Sequence, residues 1–234
     1  MNELLDEFFD FSFESVITED MLERDYKFPL SQVENYVMNV VSTPYQQFID
    51  YVYTHYCNKP IETSCIPQIS SYDAATRGVC QVLKGRNDPG LEYIEIGVAL
   101  FSDDTPRNDG AYLKFGENHV KGATFHGLTY NLYKKWFLTC LGYVYPDYDD
   151  ELRQYISART LLRSPFFHII VAEAVEHDVN IQKYMTGLKL STQKRRSSSC
   201  MHFFDVIKRQ CEIENVNLHS IYFSVNENTQ EDIF

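Results

Sequence analysis

The segment from Leu188 to Arg209, LKLSTQKRRSSSCMHFFDVIKR, limits the fold more tightly than any other stretch of this chain. Cys200, Phe203, Phe204, Ile207 and Cys211 recur at helical spacing as one apolar stripe, so the segment predicts a long helix laid on a core. Ser191 and Thr192 stand where either hydroxyl can accept a backbone N–H at the start of that helix. Lys194, Arg195 and Arg196 fill its first turns, where positive charge opposes the helix dipole. A cluster placed against stability implies contact with an anion, and so a helix presented to nucleic acid. Extended backwards, the apolar stripe meets Gln193 and Arg196. Arg196 is therefore expected inside, paired with a carboxylate or a carbonyl, whereas Ser191, Lys194, Arg195, Ser198 and His202 are expected outside.

The charge of the whole chain, −12 over 234 residues, conceals an uneven distribution. Residues 1–53 carry eleven acidic and two basic side chains, while residues 151–200 carry eight basic and four acidic ones. Such asymmetry implies a local anionic partner rather than a generally basic surface, although a solvated helix face has the same charge pattern. With 17 Tyr and 16 Phe the chain is rich enough in aromatic residues to fold. No run of 18 apolar residues occurs, so no membrane-spanning helix is expected. The acidic start, MNELLDEFFDF, lacks the positively charged opening of a secretory signal, and the expected location is cytoplasmic. Six scattered cysteines, without CxxC spacing, read as reduced thiols rather than disulfides or zinc ligands.

Along the chain, residues 2–24 mix acids with Leu4, Leu5, Phe8, Phe9, Phe11 and Phe13, the pattern of an amphipathic helix that docks on its own core or on a partner. Residues 31–56 predict two helices broken near Thr43-Pro44, capped by Ser31 and Thr43. Residues 70–83 predict another helix, and residues 91–101 fit either a strand or a short helix. A helix is expected over residues 111–128. Two short strands then flank residues 131–135. Helix followed by a hairpin with a basic tip is the order of a winged helix, whose second helix enters the DNA major groove while the hairpin touches backbone. After a linker at residues 145–149, helices are expected over residues 151–162, 166–176, 180–185 and 191–209, with a strand candidate at 218–225. The short helix, the turn at residues 186–189 and the longer basic helix match the pattern of a helix-turn-helix.

Four stretches carry a family resemblance: KFGENHVKGATFHGLT, WFLTCLG, ARTLLRSPFF and LSTQKRRSSSCMHFF. Together they resemble the tandem winged-helix module attached to bacterial restriction and phage-defence nucleases, over residues 112–206. The matching positions are Leu138-Thr139 with Leu141-Gly142, then Leu190-Ser191 with Thr192, Arg195, Arg196 and Ser197 to Ser199. Phe203 and Phe204 stand where that module commonly carries tryptophan. The expected fold class is mainly α, with tandem winged-helix units after an acidic N-terminal helical region. Its expected segments are residues 1–105, 106–146 and 147–234.

The candidate DNA contacts divide between two elements and a hairpin. Lys194 or Arg195 suits guanine O6/N7, and Ser191, Thr192 and Ser198 suit phosphate. On the first helix Asn118 suits adenine, or else a local hydrogen bond, and Lys114 and Lys121 suit phosphate. Lys134 and Lys135 stand at the hairpin tip. Catalytic signatures are weaker. Glu92 and Glu95 lie on a possible strand behind Asp88, but no lysine follows at Gly97, where a metal-dependent nuclease motif needs one. Asp103, Asp104 and Asp109 are loop acids, and neither HExxH nor a Gly-rich phosphate cradle occurs. The expected function is target recognition on double-stranded DNA, without cofactor or metal, beside a nuclease or ATPase subunit on another chain. A stand-alone transcriptional regulator, in the form of a homodimer, fits the same helices. An acidic interaction subunit that never touches DNA fits the net charge.

Overall fold

The computed structural model describes residues 40–56, 58–68, 73–85, 90–101 and 106–225, together with Asn35, Val37 and Met38. The amphipathic segment expected over residues 2–24, the Ser31 cap, Asp88, Asp103 and Asp104 lie outside these residues. Among the described residues the fold is mainly helical, with two small two-stranded sheets. They divide between two compact units, one drawn from Met1–Pro44 and Ser71–Thr160, the other from Tyr45–Ser70 and Leu161–Phe234.

The first unit includes the buried Val37 and Val40 and then α2 (Asp73–Lys84), the second helix in chain order after α1 (Tyr45–Tyr56) of the other unit. Residues 91–101, left open between strand and helix, do both. Leu91 exchanges backbone hydrogen bonds with Trp136, and α3 (Tyr93–Leu100) starts two residues later. Glu92 and Glu95 lie at the start of α3. They cap α3 reciprocally, each side chain accepting the other's backbone N–H. α4 (Asp109–Phe125) follows, its first turn capped by the Asn108 side chain.

α3 and α4 cross so closely that only glycine fits at the contact. A Cβ on Gly116 would lie 1.8 Å from the Tyr93 carbonyl oxygen, and one on Gly97 would lie 1.9 Å from that of Tyr112. Beyond α4, β1 (Thr129–Leu132) and β2 (Lys135–Leu138) form an antiparallel hairpin. Its two-residue turn holds Tyr133 at φ 50° and Lys134 at φ 66°, the left-handed pair of a type I′ turn. α5 (Cys140–Val144) is capped by Thr139, whose hydroxyl also donates to the Gly127 carbonyl.

Tyr145, the first of residues 145–149 read as a linker, belongs to this core. Tyr145 is buried and donates its hydroxyl to Asp73, and Arg153 of α6 (Asp150–Leu161) donates to the same carboxylate. Arg159, wholly buried, directs its guanidinium at the carbonyls of Val40 and Thr43. It satisfies acceptors left where a helical stretch stops before Pro44.

In the second unit α7 (Pro165–Ala174) places proline at its first position, where no N–H is needed. It packs against α8 (Leu190–Ile213) through Phe166, Phe167, Phe203 and Phe204, with ring centroids 4.9–6.0 Å apart. The stripe foreseen along α8 is buried at all five positions. Glu214, at the end of α8, accepts the Tyr45 N–H at the start of α1. A short β3 (Val179–Asn180) pairs in parallel with β4 (Ile221–Tyr222), between them a tight helical turn (Ile181–Tyr184) and α8.

Candidate nucleic-acid interface

The start of α8 is set by backbone and by one amide rather than by a hydroxyl cap. Lys189 occupies the capping position without a side-chain cap, and Ser191 and Thr192 already lie within the first turn. Gln193 supplies what the hydroxyls do not. Its Nε2 donates to the carbonyls of Met185 and Leu188, tying the turn before α8 to the helix itself. The turn passes through Gly187 at φ 82°, a left-handed position that suits glycine.

This anchoring decides where the three cations go. Arg196 is buried and its Nη1 donates to the carbonyls of Thr63 and Ile66, 2.9 and 3.1 Å away. Burial pulls its pKa down, and the neighbouring Arg195 charge adds to that. Lys194 and Arg195 are exposed, and neither reaches a carboxylate among the described residues. Ser191 and Ser198 are exposed beside them, and Thr192 is half-buried. Two cations missed in the sequence, Lys208 and Arg209, extend the exposed face of α8 towards its far end. Arg209 follows Arg195 by 14 residues, four helical turns on the same side, a spacing that was readable.

The candidates on α4 have different surroundings. Glu117 lies between Lys114 and Lys121, with oxygen–nitrogen distances of 2.8 and 2.5 Å. The hydrogen bonds from Lys114 and then Lys121 hold its carboxyl below the usual range. Both lysines are therefore engaged, and Asn118 beside them is half-buried. At the hairpin Lys134 is exposed in the turn and Lys135 half-buried on β2. The ten candidates thus fall into two groups. Lys114, Asn118, Lys121, Lys134 and Lys135 belong to the first unit, and Ser191, Thr192, Lys194, Arg195 and Ser198 to the second.

Nucleophile chemistry has little support at four of the described cysteines. Burial raises the thiol pKa of Cys80, Cys140, Cys200 and Cys211, the last two to about 12, which holds them protonated. Among the described residues no group of three or more His, Cys, Asp or Glu side chains is arranged to hold a metal ion, and no helix is long and apolar enough to cross a membrane. No protein-family model matches the chain, and neither a curated protein nor a solved structure matches it.

Proposed function

We propose that this chain is the double-stranded-DNA target-recognition subunit of a bacterial restriction or phage-defence system, working with a nuclease or ATPase on another chain. The observation that carries the reading is the fate of the α8 cations. Lys194 and Arg195 are exposed and reach no carboxylate among the described residues, on a helix whose opposite face is locked into an aromatic core. A rigid helix with two uncommitted cations at one end is suited to phosphate and to the guanine edge.

The proposal extends to two winged-helix units. In the first unit the element order α2, Leu91 bridge, α3, α4 and hairpin supports it, as does the pairing of Leu91 onto β2. In this reading α4 is the recognition helix and the Tyr133-Lys134 turn is the wing tip. In the second, the tight turn at Ile181–Tyr184, the Gln193-tied loop and α8 correspond to helix, turn and recognition helix.

Binding of the purified full chain to duplex DNA across a salt series tests this. Each phosphate neutralised contributes about −0.9 to the slope of log K against log salt, so two to four contacts give a slope of about −2 to −4. Absent or salt-independent binding overturns the reading. It would leave the second one, a protein-interaction subunit, which the net charge of −12 and the internal neutralisation of Lys114 and Lys121 favour.

A further inference from the structure

The hairpin of the first unit and the two helices before it border an open cleft of about 560 Å³ that shares Lys134 with the DNA reading. That size falls within the about 300–1,000 Å³ of sites for small organic molecules. One wall is apolar. Tyr93 and Trp136 stand with ring centroids 5.3 Å apart and planes tilted by 32°. Ile94 adjoins them, and Leu113 of α4 faces the cleft although 47% of its surface is exposed.

The rest of the lining is polar and of specific character. Asn131 donates its amide nitrogen to the Lys135 carbonyl, which leaves the amide oxygen as an acceptor without a partner among the described residues. Lys134 stands at the mouth, exposed and without an ion pair among the described residues. Glu92 also lines the cleft, but its carboxylate is committed to capping α3. The wall further contains the indole N–H of Trp136, buried beside the Tyr93 hydroxyl.

From this combination we infer that the cleft binds a nucleotide, its base against the Tyr93, Leu113 and Trp136 wall and its phosphate on Lys134. A purely apolar side chain would leave the Asn131 acceptor and the Lys134 cation unused. A planar ring with exocyclic donors and an attached anion uses the aromatic wall, the amide and the ammonium together. The nucleotide can be free or can be an unpaired base of a strand, and the chemistry of the cleft is the same for both.

Trp136 is the chain's one tryptophan, so intrinsic fluorescence of the full chain reports on this cleft. The titrants are dAMP, inorganic phosphate, and two duplexes that are identical except for one unpaired adenine. The expected result is saturable quenching by dAMP and none by phosphate. Leu113→Glu weakens binding at least about ten-fold with an unchanged circular-dichroism spectrum, because the position is exposed and the new carboxylate replaces an apolar contact with the base and repels the phosphate. Tighter binding of the unpaired-base duplex than of dAMP identifies a strand as the source, and the reverse identifies the free nucleotide. No saturable change with dAMP or the unpaired-base duplex overturns the inference, as does equal quenching in Leu113→Glu. An apolar peptide that quenches where dAMP does not overturns it too. Nucleotide quenching without salt-dependent duplex binding refutes the DNA reading alone.

Discussion

Arg195 and Arg196 adjoin in the chain and meet opposite surroundings: Arg196 donates to the Thr63 and Ile66 carbonyls from a buried position, while Arg195 projects from the same helical turn into solvent. One residue of helical rotation separates a guanidinium that holds the second unit together from one available to a partner. The two side chains therefore answer to different measurements.

Reversing Lys194 and Arg195 together to glutamate is expected to abolish duplex binding in fluorescence anisotropy. Stability should move by no more than about 0.5 kcal/mol, the range for exposed positions. Arg196→Ala should instead destabilise the chain by about 2–3 kcal/mol in urea, because the one Nη1 nitrogen shared by the two carbonyls is worth about as much as a single strong charge-assisted hydrogen bond, about 1.5–3 kcal/mol. Unfolding of the double variant, or an unaltered Arg196→Ala transition, would exchange the two roles.

Glu117 restrains both α4 lysines, so its removal is a gain-of-function test. Glu117→Gln should tighten duplex binding and steepen the salt slope by up to about 2, as Lys114 and Lys121 become available for phosphate. The loss of exposed pairs costs only about 0–1 kcal/mol. An unchanged slope would show that α4 stays off the DNA backbone.

The hairpin turn separates stability from binding. Tyr133 and Lys134 both occupy left-handed backbone conformations, for which Asn-Gly is the preferred pair. Tyr133→Asn with Lys134→Gly should raise stability by about 0.5–1 kcal/mol while reducing the salt slope by about 1. A lower melting temperature in calorimetry would contradict the turn geometry.

His126 sets a pH dependence whose sign follows from its burial. Removal from water lowers its pKa to about 4, a shift opposed in part by Asp73, and its Nδ1 lies 3.2 Å from the Thr160 hydroxyl. An unfolded histidine titrates near about 6.5. Between those values the unfolded chain holds a proton that the folded chain does not, so stability rises with pH. The contribution is fully present above about 6.5 and declines as pH falls towards 4, by about 3 kcal/mol in all. His126→Gln should remove this part of the slope in urea titrations at several pH values; identical slopes would mean that the folded ring is hydrated.

How much was legible depends on the range over which each residue acts. The α8 stripe, the inward Arg196 and the outward Lys194 and Arg195 all follow from helical rotation, a local property, and they appear as expected. Helix, hairpin and the parting at Thr43-Pro44 were readable for the same reason. Glu117 was equally readable, three residues from Lys114 and four from Lys121, yet the charge count did not pair them.

Long-range partners carried no local signal. Tyr145 looks like part of a polar linker until Asp73, 72 residues earlier, accepts its hydroxyl. Ser191 and Thr192 were expected to cap α8, but the Gln193 amide holds the turn and the helix begins a residue earlier. The interleaving of the two units, in which residues 45–70 join residues 161–234, is likewise a property of packing across the chain.

The Gln193 tie has a kinetic corollary. Because the loop ahead of α8 is fastened to the helix, that end is rigid before anything arrives, and complex formation forfeits little chain entropy there. Association at this surface should be governed by electrostatic attraction and diffusion, with no slow ordering step to wait for.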